Sequence, residues 1–287
     1  MALRLGLVGR GRWGRNIERT LLTFPDVSVR AIARGDKPPA TLDGVLIATQ
    51  SATHAEVALP YIEAGIATFI EKPMTTTLAD AERIREAAAR SGAVVFVGHI
   101  FLFHPAFLAA LELLPSLGPV RHLSCEGMNG SPRTDSSVLW DWLPHDLSMA
   151  RAILDCDPDS VACWSLSGGA TPAAALTKFQ FGETPVVSTV SWLSPVRRRQ
   201  MTIACEHGTL IFDDIAGRRL ALHGRQGGMS YPAYSDEPPL TREMAAFLQA
   251  VRSRRADPGH IETGVSSVRA LAAAERSIML EGAPVAI

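Results

Sequence analysis

Apolar positions fall into two textures along the chain. In the first third, short apolar runs alternate with stretches of helical spacing. Leu3–Val8, Val45–Thr49, Ala67–Ile70 and Ala93–Val97 are runs of this kind, and Val27–Ala33 reads as a further strand. Near-continuous apolar runs are the mark of strands buried on both faces of a sheet. Between them, Arg15–Thr23, Ser51–Gly65 and Thr77–Ser91 read as helices, the last amphipathic and capped by Thr77. A helix starting at His104-Pro105 closes near Pro115–Pro119. Strict alternation of strand and helix predicts a parallel, doubly wound sheet.

From Val120 the texture changes. Val120–Gly127, Ser160–Ser167, Ala174–Phe181, Val186–Leu193, Gln200–Glu206, Thr209–Asp213 and Leu220–His223 are strand-like runs separated by Gly, Pro and Asp. Several are joined by hairpin-length loops, so this second sheet is expected to be large and mostly antiparallel. A helix, Trp140–Leu154, interrupts it, and Thr241–Arg254 and Thr263–Leu280 close the chain as amphipathic helices. Gly224–Pro239 reads as a turn-rich, mobile loop. The expected fold class is α/β with a second, α+β part, divided at 1–118 and 119–287.

The 287 residues suffice for one large or two ordinary domains with ample core. A net charge of −1 provides no basic field to gather phosphates, which excludes a general nucleic-acid binder. The one dense basic run, Arg197-Arg198-Arg199, reads as a solvated strand end. Four cysteines without a CxxC pair, and an N-terminus without a signal peptide, read as the reduced thiols of a cytoplasmic protein. No apolar run approaches the roughly 18 residues of a membrane span. Arginine is the default cation, with lysine at 37, 72 and 178 alone, so a lysine in a special place invites inspection.

The opening stretch LRLGLVGRGRWG, Leu3–Gly14, runs from a buried strand into a glycine-rich turn and then a helix. In a GxGxxG of this context Gly9 makes the tight turn, Gly11 lets backbone approach a pyrophosphate, and Gly14 lets helix and strand pack closely. Such a fingerprint expects an acid about 20 positions on, to hold a ribose hydroxyl. Arg34 stands there instead, followed by Gly35, Asp36 and Lys37. A guanidinium suits a 2′-phosphate and favours NADP; alternatively Asp36 takes the ribose and Arg34 covers the adenine. Only Arg34–Gly44, with two adjacent prolines, joins Ala33 to the next strand. That is too short for a helical crossover, so the sheet is expected to be trimmed at this edge.

Lys72, in Glu71-Lys72-Pro73, directly follows a buried strand, where ligands of open parallel sheets bind. An ammonium there polarises a substrate oxygen, with Glu71 holding the lysine or the nicotinamide ribose. Asp141 and His145 are four apart and share one helix face; a histidine with a carboxylate neighbour is a tunable base near neutral pH. Pro144 between them is tolerated only in a first turn, which puts the pair at the start of its helix. The plainer alternatives are that His145 partners Asp146 and that Asp141 is a helix cap. His54, His99 and His104 lie near strand ends, as ligand contacts or as hydrogen-bonding supports. No third ligand completes a metal site at a recognised spacing.

Together these features resemble the Gfo/Idh/MocA oxidoreductase family, over nearly the whole chain. Gly9–Gly14 is similar to the family's opening, and IATQSATHAEVALPYIEAGIATFIEKPMTTT (Ile47–Thr77) to its characteristic block ending in Glu-Lys-Pro. VLWDWLPHDLSMARAIL (Val138–Leu154) resembles the stretch with the family's catalytic Asp and His, and FLQAVRSRRADPGHIETGVSSVRALAAAERS its C-terminal helices. The resemblance implies an N-terminal Rossmann domain and a C-terminal α+β domain with a large open sheet that mediates homodimer or homotetramer contacts. It implies NAD(H) or NADP(H), contacted by Gly9, Gly11, Arg12, Trp13, Gly14, Arg34, Thr49, Ser51, His54, Glu71, Lys72 and Pro73. It implies hydride transfer at a carbinol or ketone of a sugar, sugar derivative or polyol, with Lys72, Asp141 and His145 as the catalytic set. The VLWDWLPHD wording is closer to members associated with bacterial sugar-nucleotide and polysaccharide metabolism. Substrate choice is expected from Ser131–Asp135 and the sheet surface. The other readings are a cofactor-dependent glycoside hydrolase on this fold and a non-catalytic dinucleotide-binding protein.

Overall fold

A computed structural model describes the chain except for Met1, Lys37, Ala40, Asp135, Gly169, Ala170 and Ala256. Lys37, and Asp135 at the end of the segment expected to set substrate choice, thus lie outside the described residues. The elements are β1 (Leu3–Val8), α1 (Arg12–Leu21), β2 (Val27–Ile32), β3 (Gly44–Ile47), α2 (His54–Glu63), β4 (Ala67–Glu71), α3 (Leu78–Ser91), β5 (Val95–Gly98) and α4 (Pro105–Leu113). They continue with β6 (Val120–Met128), α5 (Val138–Leu154), β7 (Ser160–Ser165), β8 (Ala174–Phe181), β9 (Thr184–Ser191), β10 (Arg198–Cys205), β11 (Gly208–Asp213) and β12 (Leu220–Gly224). The last are β13 (Met229–Ser230), α6 (Pro239–Ser253), α7 (Pro258–Met279) and β14 (Val285–Ala286).

Residues 1–100 and 237–268 form one compact unit, and 101–236 with 269–287 another. The sequence boundary at 118/119 differs from this division for a packing reason. Helix α4 continues the strand–helix alternation, yet its apolar face lies on β11 and β12, with Phe107 and Phe212 rings 6.0 Å apart. Helix α6, remote in sequence, returns to the first unit, where Phe247 meets Phe69 at 5.6 Å and Phe96 at 5.8 Å.

The first unit is a five-stranded parallel sheet in the order β2-β1-β3-β4-β5. Leu5, Leu7, Leu46, Ile47, Phe69 and Ile70 are fully buried, as two-sided burial requires. The connection from β2 to β3 carries no helix among the described residues and returns the chain past β1. The sheet therefore stops at β2, trimmed as the eleven-residue connector dictates. Helix α1 starts three residues before its expected onset, because Gly11, in extended backbone, caps it and its carbonyl accepts from Arg15 N–H at 3.1 Å. Helix α3 begins as its pattern predicts, with Thr77 Oγ1 accepting from Asp80 N–H, and ends at Gly92 in the left-handed region.

The second unit is a nine-stranded sheet, β13-β12-β11-β10-β6-β9-β8-β7-β14, antiparallel except where β6 and β9 run parallel. Helix α5 packs on β9, β6 and β8. Three sequence expectations are corrected here. Helix α5 begins at Val138, so Pro144 lies in its second turn rather than its first. The run at 197–199 is more than a solvated end: Arg198 bonds Glu126 at 2.8 Å, Arg199 bonds Asp214 at 3.1 Å and lies 5.4 Å over the Trp142 ring. The loop after β12 is pinned by β13, by Tyr234 Oη accepting from Arg219 N–H at 2.9 Å, and by Arg218 over Tyr231.

A Cβ at Gly14 would stand 2.0 Å from the Gly9 carbonyl oxygen, whereas one at Gly11 would meet nothing within 4 Å. Gly14→Ala should therefore cost about 1–3 kcal/mol in urea unfolding as a backbone clash, and Gly11→Ala nearly nothing. Equal effects at the two positions would refute the close packing.

Candidate cofactor and catalytic residues

In the first unit the candidate residues sit on the turns that follow the parallel strands. After β1, Gly9 has φ +96°, and a Cβ there would come within 2.4 Å of the Ala48 carbonyl oxygen. Gly14 closes on the same turn from the helix side. The loop thus lies backbone to backbone against the start of α1 and the end of β3. The space over Gly11 is open, α1 has no side-chain cap and its first turn holds no acid. Its leading N–H groups and positive dipole end are therefore available to an anion, the property a pyrophosphate needs. Arg10, beside the loop, is held by Glu18 at 2.9 Å.

Trp13 reaches from α1 to the end of β4, where its Nε1–H donates to Glu71 Oε1 at 2.5 Å. Glu71 Oε2 accepts from the Lys72 N–H at 3.2 Å. Burial pushes the Glu71 carboxyl up to about 7, opposed by the Trp13 hydrogen bond and the Lys72 charge. Glu71 thus binds the glycine turn to the Lys72 turn. The Lys72–Pro73 peptide is cis. His54 is buried, with Nδ1 2.9 Å from the Pro73 carbonyl and Nε2 3.2 Å from the Thr49 carbonyl. It joins the turn after β3 to the turn after β4, the supporting role. Thr49 accepts a bond from the Thr53 hydroxyl at 2.9 Å, and Ser51 opens the short 3-10 turn before α2. At the end of β2, Arg34 pairs with Glu56 at 2.8 Å, and Asp36 folds back so that Oδ2 accepts from Ala33 N–H at 3.2 Å.

Beside these turns lie Glu243 and His260, which the sequence does not single out, and His99, which it does. Glu243 of α6 is fully buried within electrostatic reach of Glu71, and His260 of α7 stacks on Phe96 at 3.7 Å. His99 is buried, and burial with the neighbouring His260 and Lys72 charges pushes its pKa down to about 3. The available signal was Glu243 on the apolar stripe of α6, in register with Phe247 and Val251.

In the second unit Asp141 and His145 stand one turn apart on α5. Asp141 is not the helix cap; Ser137 holds that position. Its carboxylate accepts from Trp192 Nε1–H at 3.2 Å and from Arg133 at 3.5 Å. The His145 ring is edge-on to Phe101 at 4.8 Å. Asp146 faces Ser188 and Cys125; burial pushes its carboxyl up to about 7, against the pull of the Ser188 hydroxyl. A small cavity is lined by Phe101, Trp142, His145, Asp146, Arg199 and Phe212. Behind it, His104 caps α4, its Nδ1 accepting from Ala106 N–H at 3.1 Å, while Nε2 lies 3.4 Å from Asp214.

Comparison with known proteins gives this geometry relatives. A family described as "Oxidoreductase family, NAD-binding Rossmann fold" matches residues 31–99. A crystal structure from Magnetospirillum magnetotacticum MS-1, described as an oxidoreductase, is 32% identical with a TM-score of 0.85, covering 95% of this chain and 99% of that one. UDP-N-acetylglucosamine 3-dehydrogenase of Acidithiobacillus ferrooxidans is 26% identical over 95% of both chains. An inositol dehydrogenase homologue from Azotobacter vinelandii, solved with NADH and myo-inositol, has a TM-score of 0.83 at 18% identity, covering 100% of this chain and 98% of its own, and shares the fold.

The raised Asp146 carboxyl fixes the sign of a pH effect. The folded protein keeps this proton up to about 7, while an unfolded chain loses it near 3.8. Its contribution to stability is full below the lower value and is lost as pH rises to the higher one. Asp146→Asn cannot ionise, so its stability relative to the parent should rise between about pH 5 and about pH 8 in chemical unfolding. A difference that stays constant with pH would show that Asp146 is ionised throughout.

Proposed function

The chain belongs to the Gfo/Idh/MocA oxidoreductase family, and on that premise we propose that it transfers a hydride between a nicotinamide dinucleotide and a carbinol or ketone of a sugar, sugar derivative or polyol. The observation that carries the reading is the bare start of α1, with open space at Gly11 beside two glycines packed on backbone. The dinucleotide, when bound, supplies the hydride acceptor or donor. Gly9, Gly11, Arg12, Trp13 and Gly14 form the pyrophosphate side of its site; Thr49, Ser51, His54, Glu71, Lys72 and Pro73 form the opposite strand ends.

This chain's own residues handle the substrate oxygen and its proton. Lys72 orients and polarises the oxygen, and its ammonium stabilises the alkoxide charge that develops during oxidation. His145 exchanges the hydroxyl proton, a role suited to an imidazole near neutral pH. Asp141, its carboxylate steadied by Trp192 and Arg133, positions substrate or tunes the histidine. For the cofactor's second phosphate we favour NADP. Arg34 is half exposed at the end of β2, and its surface pair with Glu56 is of the weak kind that a phosphate displaces. The runner-up is NAD, with Asp36 on the ribose.

The cytoplasm is the compartment this reading implies, in keeping with Cys125, Cys156, Cys163 and Cys205 as free thiols. A homodimer or homotetramer through the nine-stranded sheet is supported by exposed apolar side chains along it, Trp164 among them.

Lys72→Ala and His145→Ala should each lower kcat by about 10²–10⁴-fold, His145→Ala with the dinucleotide Kd unchanged. Undiminished turnover in both would refute the catalytic assignment. Side-by-side calorimetric titrations should give tighter NADPH than NADH binding, and Arg34→Ala should erase that preference. Tighter NADH binding by the parent would hand the ribose to Asp36.

A further inference from the structure

Glu243 is fully buried, and neither of its carboxyl oxygens has a hydrogen-bond partner among the described residues. Glu71, in the same unit, lies near enough that its charge raises the cost of ionising Glu243. Glu71 is also buried, yet both its oxygens are engaged, by the Trp13 indole and by the Lys72 amide. Two carboxyls facing each other away from water do not both ionise, because each charge raises the cost of the other. The charge belongs on the member with donors, and the proton on the member without them.

The surroundings add one counter-charge to this pair. Lys72 lies beside Glu71, and its charge favours the anion there. His99 and His260 face the same interior, and burial holds both toward their neutral forms; Asp257 acts on His260 in the opposite sense. Phe69, Phe96 and Phe247 form an aromatic cluster in the same unit.

We propose that Glu71 and Glu243 form a buried carboxyl pair holding a single proton on Glu243, and that Glu243 is thereby a positioning residue that leaves Glu71 as the sole anion under the Lys72 turn. This rests on the reading that the Lys72 turn meets the nicotinamide. An anion there favours the oxidised cofactor, whose ring is cationic, over the reduced one, whose ring is neutral. Glu71 takes up a proton as the pH falls through about 7. The preference for oxidised over reduced cofactor therefore grows as pH rises through neutrality, in the direction that oxidation of an alcohol needs.

The pair is tested first on the cofactor-free protein by infrared difference spectroscopy, comparing the parent with Glu243→Gln at about pH 8, above the value at which Glu71 ionises. The parent should show the carbonyl stretch of a protonated carboxylic acid, absent from the variant. Persistence of that band in the variant overturns the proposal, because the proton then resides elsewhere. Glu71→Gln should keep the band, which preserves the test if Glu243→Gln fails to fold.

The second arm measures the ratio of oxidised to reduced cofactor Kd across neutral pH. The parent ratio should shift several-fold towards oxidised cofactor with rising pH. Glu243→Gln should keep the same midpoint, and Glu71→Gln should be flat. A midpoint that drops in Glu243→Gln overturns the proposal, since Glu243 would then have carried the charge. Failure of either cofactor to bind would reject the dinucleotide reading, and the infrared result would still decide the carboxyl pair.

Discussion

The first unit depends on the contact of backbone with backbone at the end of β1. Gly14 brings α1 down until no methyl fits between it and the Gly9 carbonyl, and Gly9 in turn lies against the Ala48 carbonyl at the end of β3. Backbone atoms do not move aside as a flexible side chain does, so this contact sets the height and tilt of α1 over the sheet. Because α1 is held there, Trp13 projects towards the end of β4 and reaches Glu71. The glycine turn and the Lys72 turn are thus positioned by one chain of contacts: glycine on glycine, helix on strand, indole on carboxylate. His54 repeats the device one strand over, joining the Thr49 and Pro73 carbonyls.

Much of this was legible in the sequence, because it is local. Buried parallel strands announce themselves as apolar runs, and the glycines, Lys72 and the Thr77 cap are each read within a few residues. The trimmed edge followed from simple counting, since eleven residues with two prolines cannot make a helical crossover. Helical spacing puts Asp141 and His145 on one face, and the family resemblance alone marks them as a candidate pair. Their supports were not legible, for Trp192 lies 51 residues from Asp141 and nothing local signals the bond.

What remained hidden is the pairing of distant segments. Helix α4 continues the periodic alternation of the first sheet but spends its apolar face on β11 and β12, a choice made by shape and not by pattern. Helix α6 returns to the first unit because Phe247 completes the aromatic cluster of Phe69 and Phe96. That return carries Glu243 into the interior along with the apolar stripe it shares with Phe247 and Val251. Arg199 was misjudged for the same reason. A basic triplet resembles a wet strand end until the β10 register places Asp214 and Trp142 beside its second and third members' strand. Pro144 sits a turn deeper than a proline's own preference predicts, because Val138 and Leu139 are fully buried and extend the helix backwards.

The short β2–β3 connection ties fold to specificity. A sheet that continued past β2 would cover its flank and hold the residues of the following turn among neighbours. Here β2 is the edge, and Arg34 and Asp36 in the turn after it are exposed. The Asp36 carboxylate turns inward to the Ala33 N–H, while the Arg34 guanidinium turns to an exposed glutamate on α2. Neither commitment is deep, because exposed ion pairs contribute little. On the proposed reading an anionic second phosphate would replace Glu56 at Arg34 by a doubly charged, geometrically matched acceptor, and a plain ribose would need Asp36 to leave the Ala33 N–H. The first exchange would gain charge complementarity and the second would cost a turn, and that balance at an edge strand is the ground on which we propose the phosphorylated cofactor.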